Sequence, residues 1–303
     1  MIVAEEEFIP GLRFAQAPTD MPAVMAFLVE QMAGQPDFFW GALVDVAFDE
    51  ATGSARLKLD DINCYAGDDR LRDLESVAPW LIPLDVYEQG QECLAQLLAH
   101  CNGRPMFSLL ASEKPLNRLA SIWHPLHWVH TTEGKPMLLR FADTRVLPTL
   151  PGILTPPQWA ALTRPLAHWL YIDRDGRAVT VELPAPDSPA AARIEFTDEQ
   201  LTAMIAACEP DAAFDLVMQH TPGLIPSDAP AASIHAGLRQ IFDLAAEHGV
   251  EPWPDKMALA MAELLTQGKI RDRPELKELL QAGAWEAGKL GERLQPLLMP
   301  HGA

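Results

Sequence analysis

The sequence predicts a mixed α/β domain, a sheet with flanking helices, followed by an all-α C-terminal domain. Three observations predict it. Apolar runs of strand length alternate with segments of helical spacing up to about residue 182. Two pairs of short runs flank turn-forming residues, as hairpins do. Beyond a proline-punctuated stretch only the 3.6-residue period remains. The expected division is 1–182 for the α/β domain, 183–196 for a Pro-rich linker and 197–303 for the helical domain.

The elements follow in order. Asp20 can cap a helix carrying Met21, Val24, Met25, Leu28 and Met32, ending near Gly34. Phe38 to Phe48 is near-continuously apolar, the pattern of a strand buried on both faces. Ala78 to Leu84 is extended, because Pro79 and Pro83 forbid a helix. Helical spacing at Cys93, Leu94, Leu97 and Leu98 stops at Asn102-Gly103. Pro105 to Leu110 reads as a strand, and a helix over Leu116, Leu119, Ile122 and Trp123 is closed by Pro125. Trp128–His130 and Met137–Phe141 form one hairpin; Tyr171-Ile172 and Ala178–Val181 form another across Asp173-Arg174-Asp175-Gly176. Between them Thr155, Pro156 and Gln158 start a helix that buries Trp159 and Leu162 and reaches towards Leu166. Thr197 and Gln200 form a capping box ahead of Leu201, Met204, Ile205 and Cys208. After a second break over Pro222–Pro230, helices are expected over Ile234–Ala245, Met257–Leu265 and one run from Pro274 to about Leu294, capped by Asp272.

Charge narrows the function classes. The 303 residues hold 23 basic and 42 acidic side chains, a formal net charge of −19. Such a chain repels phosphate backbones and anionic membranes, so no nucleic-acid or membrane partner is expected. The N-terminus lacks a basic, apolar leader, and no apolar run approaches about 18 residues, so a cytoplasmic protein is expected. Cys64, Cys93, Cys101 and Cys208 match no metal or redox spacing and read as free thiols. Residues 104–177 run against the overall charge, with nine basic and five acidic side chains. Either an internal Arg/Asp network or a surface for an acidic partner would account for this.

Catalytic signatures are sparse. His124, His127 and His130 could ligate a metal in a hydrolase, but on an extended chain His127 points away from the other two. Asp60-Asp61 and Asp68-Asp69 could hold a divalent cation, or form a solvated acidic loop. There is no Gly-x-Ser-x-Gly elbow and no phosphate loop. No catalytic residue, metal or cofactor is therefore expected. The eight tryptophans are candidates for the core, with an exposed subset as a protein-binding surface. On a strand, Arg140 and Ala142 would face one way and Leu139, Phe141 and Asp143 the other, with Arg145 within reach of Asp143. A guanidinium held there needs a carboxylate or carbonyl, either inside the fold as a polar lock or on a partner. As a lock, Arg140→Ala should cost about 2–4 kcal/mol.

Ala42-Leu43-Val44-Asp45, Ala78 to Leu84, Met106 to Ser112, the Leu116–Trp123 helix and Gly134 to Leu147 occur here in a distinctive order. Trp159, Trp169 and Asp173-Arg174-Asp175-Gly176 complete it. Over roughly residues 38–177 the chain resembles a bacterial domain-of-unknown-function family of type VI secretion effector chaperones, or adaptors. The resemblance implies a cytoplasmic, non-enzymatic protein that binds a cognate toxic effector and helps load it onto the VgrG spike. A helical C-terminal extension is common in that family. Arg140, Asp143 and Arg145 match the family pattern, while Val46, Ala142 and Thr144 depart from it. Trp123, Trp128, Trp159 and Trp169 join the three as residues that bind a partner or lock the fold. An immunity-type protein that neutralises a toxin is the remaining alternative.

Overall fold

The computed structural model describes residues 14–52, 61–225 and 229–298. They form two compact units: one spans 18–207, the other joins 14–17 to 208–298.

In the first unit, α1 (Met21–Gly34) starts where Asp20 accepts from the Ala23 amide, as its sequence predicts. β1 (Phe39–Asp45) is buried from Trp40 onward. The apolar run continues to Phe48, but the chain leaves the strand at Asp45. Its carboxylate accepts from the Ala47 amide at 3.2 Å, a local turn that opens α2 (Ala47–Thr52). β2 (Ile62–Asn63) precedes a 3₁₀ segment over Asp69–Val77, which the sequence pattern did not indicate. β3 (Pro79–Pro83), α3 (Glu88–His100), β4 (Phe107–Ser112) and α4 (Leu116–Trp123) lie close to their expected places. β5 (Trp128–His130) and β6 (Pro136–Leu138) form the first hairpin. α5 (Leu150–Ile153) and α6 (Pro156–Thr163) follow. β7 (Leu166–Ile172) and β8 (Ala178–Thr180) form the second hairpin, so Leu166 opens a strand instead of extending the helix before it. β9 (Ile194–Glu195) lies in the proline-rich stretch and pairs parallel to β5. Two residues between prolines leave no periodicity to detect.

The main sheet has the order β2-β3-β1-β4-β7-β8, with every neighbouring pair antiparallel. A second sheet has the order β6-β5-β9. One face of the main sheet presents Leu43, Leu81, Leu110 and Trp169 to a core shared with α4, α6 and the 139–150 segment. The alternate residues Ala42, Val44, Ile82, Leu109 and Ala111 are buried as well, and α1 packs on α3 and β8.

The predicted capping box at Thr197 meets in space a second one at the predicted helix start Thr155. Gln158 accepts from the Thr155 amide, and Gln200 accepts from the Thr197 amide at the start of α7 (Asp198–His220). The Gln200 side chain then donates to Gln158 at 2.7 Å and to the Ile153 carbonyl, while Gln158 donates to the Glu195 carbonyl. Caps read as local devices thus tie α5, α6, β9 and α7 together. On the first turns of α7, Leu201 and Met204 pack on the core, whereas Ile205 is exposed.

Gly176 closes the second hairpin with φ +74°, and a Cβ there would stand 2.3 Å from the Pro18 carbonyl oxygen. Gly176→Ala therefore combines left-handed strain with a backbone clash, and should destabilise by about 2–3 kcal/mol in denaturant titration.

The second unit packs α8 (Ala231–Glu247) and α11 (Leu290–Leu298) on α9 (Trp253–Leu265), with α10 (Pro274–Ala282) beside α11. Phe214, Leu238, Ile241, Leu259, Ile270, Leu276 and Leu290 fill its core. The single helix expected from Pro274 to about Leu294 is two helices. Gly283, at φ +58°, ends α10, and its amide reaches back to the Leu279 and Leu280 carbonyls. Asp272 does not cap α10, because Arg273 occupies the cap position and makes no side-chain cap bond. The start of α11 takes its cap from a distant residue: Asp255 of α9 accepts from the amides of Gly288 and Leu290 and from Trp285 Nε1.

Candidate functional site

The site is built where β1 ends. Asp45 sits in an otherwise apolar strand, with its side chain 1% exposed. Arg140 reaches it from the segment after β6, with an N–O distance of 2.7 Å. This segment is not the strand its alternation suggested. The chain leaves the sheet after Leu138, and the Asp143 amide turns back to the Arg140 carbonyl. Consecutive Phe141 and Ala142 are both buried, which no strand facing solvent on one side allows. Asp143 then holds Arg145 through two parallel bonds of 2.9 and 3.1 Å, and its carbonyl accepts from the Val146 and Leu147 amides. Both guanidinium groups lie over the Phe48 ring, at 5.6 Å for Arg140 and 4.9 Å for Arg145.

A second ionic cluster stands one turn further along. Buried Asp49 accepts from Arg104 at 2.6 Å and contacts His100 Nε2 at 2.8 Å. Two basic residues of the 104–177 segment thus pair with Asp45 and Asp49 outside it, so part of that segment's positive excess belongs to an internal Arg/Asp network.

Burial outweighs the Arg140 attraction and raises the Asp45 pKa, with the Asp143 charge adding to the rise. For Arg140, burial acts downward, but Asp45 and Asp143 outweigh it and hold the guanidinium charged. Burial pushes the Cys64 and Cys101 thiols and the Tyr65 phenol up, which keeps all three protonated and un-nucleophilic.

Beside the ionic cluster runs a continuous line of rings. Tyr65 meets His127 edge-on at 5.0 Å, and His127 stacks on Phe141 at 5.1 Å. Phe141 meets Trp123 at 5.0 Å, Trp123 approaches Trp169, and Trp169 stacks on Trp159 at 6.1 Å. Trp123, Trp159 and Trp169 are core residues, so none of the three forms part of an exposed contact surface. Trp123 donates to the Leu162 carbonyl and Trp159 to the Glu182 carbonyl. The Trp169 indole nitrogen is buried without a hydrogen-bond partner.

His127 belongs to this line. Its ring is buried, and desolvation, followed by the nearby His124, lowers its pKa to about 4. Among the described residues, no group of three or more His, Cys, Asp or Glu side chains is placed to hold a metal. Asp60 lies outside the described residues. Asp68, half of the second acidic pair, is not solvated: it accepts from the Arg70 amide, from Arg70 Nε and Nη2, and from Trp128 Nε1 at 2.8 Å. Arg70 also lies 4.6 Å above the half-buried Trp128 ring. The side-chain bonds from Arg70, the largest cause, together with the Trp128 bond hold the Asp68 carboxyl well below the usual carboxylate range. Its contribution to stability is therefore present above about pH 4 and lost as pH falls through the lowered pKa. Asp68→Asn should be less stable than the parent at neutral pH, and the two melting temperatures should converge in strong acid.

Residues 42–161 match the family model of DUF4123, a domain of unknown function. The DUF4123 segment covers less than half of the chain but contains Asp45, Arg140, Asp143 and Arg145, every member of the aromatic line except Trp169, and, of the main sheet, most of β1 with β2, β3 and β4. Comparison with curated proteins and with solved structures gave no match. No helix among the described residues is long and apolar enough to cross a membrane.

Sequence reasoning missed Asp45, Asp49 and Asp68 as the carboxylate partners. A signal existed for Asp45, since a lone acid inside an apolar strand requires a cation somewhere in the fold. His100 and Arg104, four apart at a helix end, carried a similar signal.

Proposed function

We propose that the chain is a non-enzymatic adaptor of type VI secretion: it binds a cognate toxic effector in the cytoplasm and helps load it onto the VgrG spike. The observation that carries this reading is the DUF4123 match over 42–161, a family associated with type VI effector chaperones. The chemistry of the segment agrees. Its buried Asp45, Asp49 and Asp143 are spent on internal pairs, its Cys64 and Cys101 thiols are held protonated, and His127 stacks on Phe141 with Tyr65 edge-on to it. Such groups suit a binding scaffold: a protonated buried thiol is a poor nucleophile.

Co-expression with the effector and spike protein encoded beside it tests the proposal. Affinity capture should recover the effector in a stable complex, and deletion should abolish its export while leaving other effectors unaffected. Absence of binding together with unchanged export would overturn the reading. Protection of cells from the toxin with export intact would identify an immunity protein instead.

A further inference from the structure

In the helical unit, α8, α9 and the turn after α9 enclose a cavity of about 360 Å³. Its floor carries Glu263, which is 4% exposed. A carboxylate has room for about four donors, yet among the described residues this one receives only Arg271 Nε, shared between its two oxygens at 2.9 and 3.0 Å. Two glycines hold the space open. A Cβ on Gly237 would stand 2.7 Å from Glu263 Oε1, and one on Gly268 would stand 2.9 Å from Arg271 Nη2. Gln267, which also lines the cavity, holds φ +50°, a conformation that costs a non-glycine residue energy. Ala229, Ile234 and Leu264 supply apolar wall.

We infer that this cavity receives a basic side chain, an arginine or lysine presented by a polypeptide partner. The apolar wall suits the aliphatic stem, and the under-used buried carboxylate suits the cationic head. One carboxylate can be shared by two guanidinium groups, as in buried Arg–Glu–Arg triads. Burial raises the Glu263 pKa despite Arg271, and Asp272 adds to the rise, so a second cation would relieve a real electrostatic cost. The chain's charge of −19 draws basic segments towards it. The inference rests on the adaptor reading for its partner and makes that partner's anchor a basic residue.

The test titrates the full chain with Nα-acetyl-arginine methylamide and follows the Gly237 and Gly268 amide resonances, with Nα-acetyl-leucine methylamide as control. Saturable shifts are expected with the arginine probe alone. Glu263→Gln, of the same shape, should weaken binding about tenfold or more. Ser233→Phe, at the exposed rim, should block binding without altering the melting temperature, which keeps the test valid if Glu263→Gln unfolds. No saturable shift, equal binding of both probes, or unchanged binding in Ser233→Phe would overturn the inference. The titration needs no effector, so probe binding without effector capture would refute the adaptor reading alone, and the converse would refute this site alone.

Discussion

Arg140→Ala is expected to destabilise the sheet-bearing unit by about 3 kcal/mol near pH 7, measured by denaturant titration. The cost comes less from a lost attraction than from the carboxylate left behind. Asp45 is 1% exposed, and among the described residues its only side-chain ion partner is Arg140. Breaking a buried pair on one side typically costs about 3–5 kcal/mol; Arg140 is 38% exposed, so water recovers part of that. The pH dependence separates this mechanism from simple loss of packing. The Asp45 pKa is already raised in the fold by burial. Relative to the unfolded chain the fold therefore favours the protonated form, and ionisation costs stability as pH rises from the unfolded value through the folded one. Without Arg140 the pKa rises further. The deficit of Arg140→Ala should be full at neutral pH and shrink towards about pH 4, where the acid needs no partner. Replacing both residues, as Asp45→Leu with Arg140→Met, should recover most of the loss. A deficit independent of pH would show that stacking on Phe48 is what Arg140 contributes.

Asp255→Ala should cost the helical unit about 3–5 kcal/mol. The Asp255 side chain is buried and accepts three N–H bonds at 2.8, 2.9 and 3.2 Å, two of them from the backbone at the start of α11. Bonds to a charged acceptor are worth about 1.5–3 kcal/mol each and are not additive. The substitution also strands the buried Leu290 amide and removes the cap of a helix whose Leu290 and Leu294 complete the core. Hydrogen exchange should show protection lost first over 285–298, before α8 and α9 respond. Asp255→Asn should fall between parent and alanine, because its amide keeps one acceptor and turns two hydrogens towards existing donors.

What was legible in the sequence follows from the range of the forces involved. Helix starts at Asp20, Thr155 and Thr197, the hairpin turns, and the doubly buried β1 are local, and each lies close to its expected place. The failures are also physical. Asp45 ended a strand early through its own carboxylate, and Gly283 broke a helix whose apolar spacing ran on unchanged. β9 was too short to carry a period. The candidate site was half legible: Arg140, Asp143 and Arg145 stood out, but the partner of Arg140 lies 95 positions away in the chain. Only the fold supplies that pairing. Asp68 was misread for the same reason, since its indole donor is 60 positions distant.

The match to a family ends at residue 161, yet the sheet does not. β7 and β8 lie beyond it, and Trp169, at the crossing of three ring contacts, comes from β7. A fragment cut at the edges of sequence similarity would leave β4 with an unpaired border and a void the size of an indole in the interior. The family match and the compact unit therefore draw different borders on this chain, the second running from residue 18 to the first turns of α7.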